Sequence, residues 1–268
     1  MTAEPRTPAP FGRRTLTLSG RREVGAYVIL AAEDPGGPAP RAGQFYMLAA
    51  ARRWGGGIDE RPFLPRAFSV MRARESTLEF MLEAVGPGTE RLAELDAGDG
   101  LHVTGPLGIG FEEPGDGRRA LLCGGGVGTA PLAIWQDSLL AAGRPAPALL
   151  GFRDAAHAPG ATLLHNARVA TDDGSHGHHG PVTDLLSAEL DDDPHAVVYA
   201  CGPPGMLEAV RALCAARSVP SRLALESGMA CGFGACFGCV VGLRAGGYVR
   251  LCVDGPVLDG DLLAEVPA

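Results

Sequence analysis

Four cysteines lie close together near the end of the chain. Three stand in Cys231-Gly-Phe-Gly-Ala-Cys236-Phe-Gly-Cys239, and Cys252 follows, giving the spacing C-x4-C-x2-C-x12-C. Three thiolates from one tight loop and a fourth from a nearby segment can wrap a [2Fe–2S] cluster, in which four thiolates fill the positions left on two sulfide-bridged irons. The interleaved glycines let the loop curve and turn backbone N–H groups toward the sulfurs, which stabilises the negative charge there. The rival chemistry for such ligands is a structural zinc site. Zinc commonly takes two knuckles from separate halves of a domain, whereas this set is lopsided, so the spacing favours iron and sulfide.

Two glycine turns carry a second kind of chemistry. Gly124-Gly-Gly-Val-Gly128 follows an apolar run, Arg119 to Cys123, and opens a helical stretch at Thr129. A strand ending in such a turn presents backbone N–H groups and a helix N-terminus to a phosphate. The spacing is not G-x-G-x-x-G, and a plain strand-to-helix turn is the alternative. Cys201-Gly-Pro-Pro-Gly-Met206 repeats the pattern of strand, glycine turn and helix. Two such turns at the carboxyl ends of strands are where open α/β sheets bind ligands. Earlier in the chain, Pro65-Arg66-Ala67-Phe68-Ser69-Val70 puts an arginine and a serine on one strand-like run, and Gly86-Pro-Gly-Thr89 opens a short helix. Arg66 suits phosphate contact, and Ser69 can donate to a ring nitrogen.

The elements that must position these residues fall into three stretches. The first, residues 11–114, holds short apolar or alternating runs at Leu16–Leu18, Ala26–Leu30, Gln44–Ala49, Arg66–Met71, Thr77–Ala84 and Leu101–Thr104, divided by Gly, Pro and Asp clusters. That pattern predicts a small antiparallel β-barrel or sandwich. A loop is expected at Trp54–Ile58. Residues 115–220 alternate strands (Arg119–Cys123, Ala148–Phe152, Ala196–Cys201) with helical stretches (Thr129–Ala142, Ala161–Ala167, Pro204–Arg217). Alternation of this kind predicts a parallel α/β domain. Residues 221–268 are rich in glycine and cysteine, with strand-like runs only at Cys239–Leu243 and Tyr248–Cys252. So small a unit has little core of its own, and a metal cluster would help it fold.

Composition narrows the function. The chain has 268 residues, 46% of them hydrophobic, and a net charge of −8, a globular composition without the basic surface a nucleic-acid binder needs. All 23 basic residues are arginine. Met1 to Arg14 lacks the apolar region of a secretory signal, and no run of about 18 apolar residues is present, so neither export nor a membrane span is expected. In a cytoplasmic protein the seven cysteines are read as thiols, metal ligands or catalytic groups rather than disulfides. Cys214 shares an apolar helix face with Met206, Val210 and Leu213 and reads as core; Cys123 ends a strand.

Taken in order, R-x-x-S, G-x-G-T, GGGVGTAPL and CGPPGM resemble the ferredoxin–NADP reductase-like flavoproteins. The tail sharpens the likeness. C-x4-C-x2-C is the plant-type ferredoxin spacing, here with a shortened stretch before the last cysteine. Glu226-Ser-Gly-Met-Ala-Cys231 through Cys239, with Cys252-Val-Asp-Gly-Pro-Val257, Thr171-Asp-Asp-Gly-Ser175, Gly180-Pro-Val-Thr-Asp184 and Gly151-Phe-Arg153, is similar to the electron transfer subunits of NAD-dependent (class 1B) dihydroorotate dehydrogenase. The resemblance runs from about residue 11 to 258.

It implies FAD on the barrel, with Arg66, Ala67, Phe68 and Ser69 on one binding strand, Met81, Leu82 and Glu83 on a second, and Gly88 and Thr89 at the pyrophosphate. It implies NAD at Gly124, Gly125, Gly126, Gly128 and Thr129, with Cys201 and Gly202 near the nicotinamide, and the cluster on Cys231, Cys236, Cys239 and Cys252. A separate FMN-containing catalytic subunit would oxidise dihydroorotate in pyrimidine biosynthesis, two copies of each chain forming a heterotetramer. Electrons would pass through the cluster and FAD to NAD+. Leu82-Glu83 departs from the family, where Tyr-Arg is frequent. Pro203-Pro204 stiffens the second glycine turn, and the Trp54 loop is long.

Other readings remain open at this point. The chain is also compatible with the reductase subunit of a sulfhydrogenase, of anaerobic sulfite reductase, or of NADH-dependent ferredoxin–NADP oxidoreductase, or with a non-enzymatic metal-binding redox module. Asp172 and Asp173 read as a solvated turn more readily than as cofactor contacts, and His176, His178 and His179 as a polar surface loop more readily than as metal ligands.

Overall fold

A computed structural model describes residues 13–55, 62–115 and 117–267. Most of the Met1–Arg14 segment and part of the Trp54–Ile58 loop lie outside the described residues. Six antiparallel strands close a barrel: β1 (Arg14–Val24), β2 (Tyr27–Glu33), β3 (Phe45–Ala50), β4 (Arg66–Arg74), β5 (Thr77–Glu83) and β6 (Gly100–Leu107), in the order β1-β2-β5-β4-β3-β6. Closure leaves no strand edge exposed. The short helix α1 (Pro87–Ala93) joins β5 to β6. All six runs of the sequence become strands, and none of them pairs with a strand outside the barrel.

The second half is a seven-stranded sheet, β10-β9-β8-β7-β11-β12-β15. Its strands are β7 (Arg119–Gly125), β8 (Ala148–Phe152), β9 (Ala167–Thr171), β10 (His178–His179), β11 (Ala196–Cys201), β12 (Ser221–Ala224) and β15 (Val257–Asp259). They run parallel except β15, which lies antiparallel to β12. The helices are α2 (Thr129–Ala141), α3 (Val182–Asp192) and α4 (Pro204–Ala216). The stretch expected to be helical at Ala161–Ala167 is instead a 3-10 turn, Ala158–Leu163, before β9.

Strand alternation divides the core in two. Leu122 and Tyr199 point to the face covered by α2, where they join Tyr46, Leu48 and Phe80 of the barrel. Leu121, Cys123 and Val198 point to the opposite face, with Leu185, Leu186 and Leu190 of α3 and Leu207, Val210 and Cys214 of α4. Strand β3 is buried along its whole length because it serves both cores: Tyr46, Leu48 and Ala50 fill the barrel, while Phe45 and Met47 meet the tail.

The tail is not the self-contained piece that residues 221–268 suggest. Ser221–Ala224 and Val257–Asp259 are the two outermost strands on one side of the nucleotide-type sheet. Between them runs a loop carrying the ribbon β13 (Val240–Gly242) and β14 (Tyr248–Arg250) and the one-turn helix α5 (Leu251–Asp254). Cys252 therefore sits on a helical turn rather than at the end of a strand.

Candidate functional site

A cleft of about 580 Å³ opens between the barrel, the start of α2 and the tail. Arg66, Ala67, Phe68 and Ser69 of β4 line it, with Met81 of β5 and Thr89 of α1. Arg66 is fixed by its surroundings: Nη1 donates to the Leu64 carbonyl at 2.6 Å, and the guanidinium lies directly over Gly88. A Cβ on Gly88 would stand 2.6 Å from Arg66 Nε, so only glycine leaves the arginine there. Thr89 Oγ1 accepts the N–H groups of Val85 and Gly86 at 2.8 and 3.1 Å and so shapes the turn that starts α1.

Two residues expected in this constellation turn elsewhere. Leu82 is fully buried in the barrel core, and Glu83 spends its carboxylate on Arg153 and His157 of the sheet domain. Neither side chain lines the cleft. The departure at these two positions thus leaves β5 with backbone and Met81 to offer.

The two glycine turns interlock. A Cβ on Gly128 would fall 2.2 Å from the Cys201 carbonyl oxygen and 2.6 Å from Gly202 N, and one on Gly202 would fall 3.0 Å from Gly125 N. Gly124 serves packing instead, since a side chain there would meet Leu150 and Leu132. Gly126 takes φ +55°, which glycine adopts without strain. Thr129 is fully buried, and its hydroxyl has no hydrogen-bond partner among the described residues. Cys201 is only 2% exposed; burial, and then the charge of Glu226, push its thiol well above the ordinary range. It offers no thiolate, so its part here is positional.

Sequence reasoning missed one wall of the cleft. Glu226, Ser227, Gly228, Met229 and Ala230 line it, together with Val127 and Ala130. These five residues lead straight into Cys231, and treating the tail as separate hid them. Glu226 is exposed where it lines the cleft, and desolvation on its protein side raises its pKa. Ser227 Oγ is buried without a partner among the described residues. An apolar-walled cleft with one cation held over a glycine, and with an orphaned hydroxyl on its wall, fits a flavin.

The four cysteines stand as two pairs. Cys239 and Cys252 are buried with their sulfurs 3.2 Å apart, while Cys231 hydrogen-bonds the more exposed Cys236. Burial opposes ionisation of Cys231, but the backbone N–H groups of Phe233, Cys236 and Ala235 and the Cys236 side chain together bring it down to about 6. Cys252 is pushed up to about 12 by burial and by Cys239 beside it. Further N–H groups point at sulfur: Gly238 to Cys236 and Cys252 to Cys239, both at 3.4 Å. Two pairs of thiolates suit two irons. The loop is seated on the barrel through Gly232 (φ +79°), where a Cβ would strike Met47 at 2.5 Å.

The remaining candidates resolve into local structure. Asp173 Oδ1 accepts the Ser175 N–H and hydroxyl at 2.9 and 2.6 Å, closing a surface turn. His178 Nε2 meets Asp184 Oδ2 at 3.0 Å.

Comparison with known proteins agrees with this geometry. The family model described as the iron–sulfur cluster binding domain of dihydroorotate dehydrogenase B matches residues 226–264. The dihydroorotate dehydrogenase B (NAD(+)) electron transfer subunit of Clostridium acetobutylicum is 36% identical over 226 residues, covering 83% of this chain and 86% of its own. This chain belongs to that family. A probable electron transfer subunit of dihydroorotate dehydrogenase B from Methanopyrus kandleri is 37% identical over 219 residues, 80% of this chain and 78% of that one. In fold, the chain is similar to the NADH-dependent reduced ferredoxin–NADP oxidoreductase structure, with TM-score 0.79, 24% identity and coverage of 95% and 91%. The dihydroorotate dehydrogenase B electron transfer family is therefore reached by identity over 83% of the chain and by a family model over residues 226–264, the first of which wall the cleft.

Proposed function

We propose that this chain takes electrons from an FMN-containing dihydroorotate dehydrogenase catalytic subunit and delivers them to NAD+, in the cytoplasm, within a heterotetramer of two copies of each chain. The observation that carries the reading is continuity: the segment Glu226–Ala230 that walls the flavin-sized cleft runs directly into the first cysteine of the cluster loop. When bound, FAD in the cleft and [2Fe–2S] on the loop supply the exchange between single electrons and hydride. Cys231, Cys236, Cys239 and Cys252 would hold the cluster. Arg66, Ala67, Phe68, Ser69 and Met81, with Gly88 and Thr89, would hold FAD. The turn Gly124–Gly128 with Thr129, beside Cys201 and Gly202, would receive NAD. No side chain has acid–base work; the protein's part is to position the groups.

The catalytic subunit has a surface to meet. Phe233 and Phe237, 42% and 62% exposed, flank the exposed Cys236 along the chain, and Val240 and Tyr248 of the ribbon are exposed as well. Phe237 stacks on Arg250, which pairs with Val240 across the ribbon, so Phe237 and Val240 lie on either side of one arginine. Apolar side chains at the outer cysteine pair suit a partner that covers the loop. No helix among the described residues is long and apolar enough to cross a membrane. The test is co-purification with the catalytic subunit followed by assay of dihydroorotate-dependent NAD+ reduction. Cys236→Ser should abolish that activity; full activity in the variant would refute the relay.

A further inference from the structure

One arginine holds the cysteine loop on both sides of Cys236. Arg250 closes β14, two residues before Cys252. Its Nη1 donates to the Gly234 carbonyl at 3.0 Å, and its guanidinium carbon lies 5.2 Å from the centre of the Phe237 ring. Gly234 stands two residues before Cys236, and Phe237 stands one after it. The Asp254 carboxylate steadies the arginine: Oδ2 accepts the Arg250 backbone N–H at 3.0 Å and stands 3.9 Å from Nε. Gly234 takes φ +87°, and a Cβ there would fall 2.7 Å from Val253 Cγ2 and 3.1 Å from Arg250 Nη1. The close approach and the positive φ both require glycine.

What the contact fixes is a peptide plane. A trans peptide carries its C=O and its N–H on opposite sides of one rigid plane. The Gly234 carbonyl shares its plane with the Ala235 N–H, and that N–H is one of those directed at Cys231. The preceding N–H, of Gly234 itself, is directed at Cys252. Pinning the carbonyl on Arg250 therefore sets the direction of the N–H opposite it. A charge-assisted bond to the oxygen also polarises the amide and strengthens its N–H as a donor. Hydrogen bonds to the sulfurs, together with charge and exposure, set the potential of an iron–sulfur cluster. Reduction adds one negative charge to the cluster, so a donor aimed at its sulfur and a cation behind that donor favour the reduced form.

We propose that Arg250 is a positioning residue for the cluster: it orients and polarises the Gly234–Ala235 peptide toward Cys231 and so raises the cluster's reduction potential. The proposal rests on the reading that the four cysteines hold [2Fe–2S]. It gives Arg250 a task distinct from its stack on the exposed Phe237.

The experiment is a redox titration of the purified full chain carrying its cluster, read by electron paramagnetic resonance of the reduced cluster. Visible absorption checks that each variant is loaded. Arg250→Met should make reduction about tenfold less favourable, a fall of about 59 mV for one electron. That is the low end of what a hydrogen bond to a charged group is worth, because the bond exists in both oxidation states and only its strengthening counts. Arg250→Lys, which keeps a charged donor, should recover most of the fall. Phe237→Leu, which removes the stack and leaves the bond to Gly234, should keep the wild-type potential. If Arg250→Met does not load, Arg250→Gln replaces it with a neutral donor, and its potential should fall in the same direction. A wild-type potential in the loaded neutral variant overturns the proposal. So does a Lys variant as low as the neutral one, or an equal fall in Phe237→Leu, which would make loosening of the loop the cause. Failure of the wild type to take up iron and sulfide would instead remove the cluster reading on which the proposal rests.

Discussion

Gly88→Ala separates the stability of the fold from the grip on FAD. A methyl at Gly88 would sit 2.6 Å from Arg66 Nε and 2.9 and 3.0 Å from Cζ and Nη2. These atoms are the far end of a flexible side chain, so the arginine swings aside and the backbone stays. Residue 88 is within α1, where alanine is intrinsically better than glycine by roughly 0.5–1 kcal/mol. The variant should therefore melt at the wild-type temperature or slightly above. The displaced guanidinium forfeits its place at the cleft, and the loss of a hydrogen bond to a charged group is worth about 1.5–3 kcal/mol. That corresponds to FAD binding weaker by about 10- to 150-fold. Flavin fluorescence quenching on titration into the flavin-free chain gives the affinity, and a thermal melt of the same sample gives the stability. Wild-type FAD affinity in a folded Gly88→Ala chain would refute the assignment of Arg66 and Gly88 to FAD binding. A large loss of stability would refute the claim that the collision is absorbed by the side chain.

Three further outcomes follow from the geometry. Gly128→Ala meets backbone rather than a side chain, so overpacking should cost roughly 1–3 kcal/mol or more and lower the melting temperature along with NAD+ affinity; an unaltered melt would show that the turns can part. Arg72 donates from Nη2 to the Leu163 carbonyl at 2.6 Å and from Nε to Asp137 at 3.0 Å, tying the barrel to α2, and Arg72→Met should destabilise by about 1–3 kcal/mol in chemical denaturation. Desolvation raises the Glu226 pKa, so its contribution to stability is present below the ordinary carboxylate range and is lost as pH rises through the folded value. Glu226→Gln should accordingly match the wild-type melting temperature near pH 4 and exceed it near pH 8 in the flavin-free chain; a gain confined to low pH would reverse the argument.

The barrel was legible because its six strands are short alternating runs between glycine and proline turns, and β8 and β11 because they are compact apolar runs ending at special turns. Helix α3 escaped because its apolar positions, Val182, Leu185, Leu186 and Leu190, sit among acidic and polar neighbours. Their spacing is helical, however, and was available to be found. The cysteine set was plain in the sequence, since ligand spacing is local chemistry. The cleft wall at Glu226–Ala230 and the diversion of Glu83 to Arg153 were not, because both depend on which segment a strand end faces across a domain seam. Nothing in the alternation of Met81, Leu82 and Glu83 tells which partner the last of them finds.

The strands β12 and β15 hold a consequence for the cluster loop. They pair directly, and Leu225 N–H donates to the Pro256 carbonyl at 3.0 Å, so residues 226–255 leave and rejoin the sheet at a single clasp. The entropy of closing that excursion is borne by sheet pairing rather than by iron. Replacing both Cys239 and Cys252 by serine should therefore erase the cluster's visible absorption while the sheet keeps its far-ultraviolet dichroism. In engineering terms the clasp is a socket: the sheet, not the cluster ligands, fixes where the loop begins and ends, while Val241 and Leu251 seat the loop in the core beneath it.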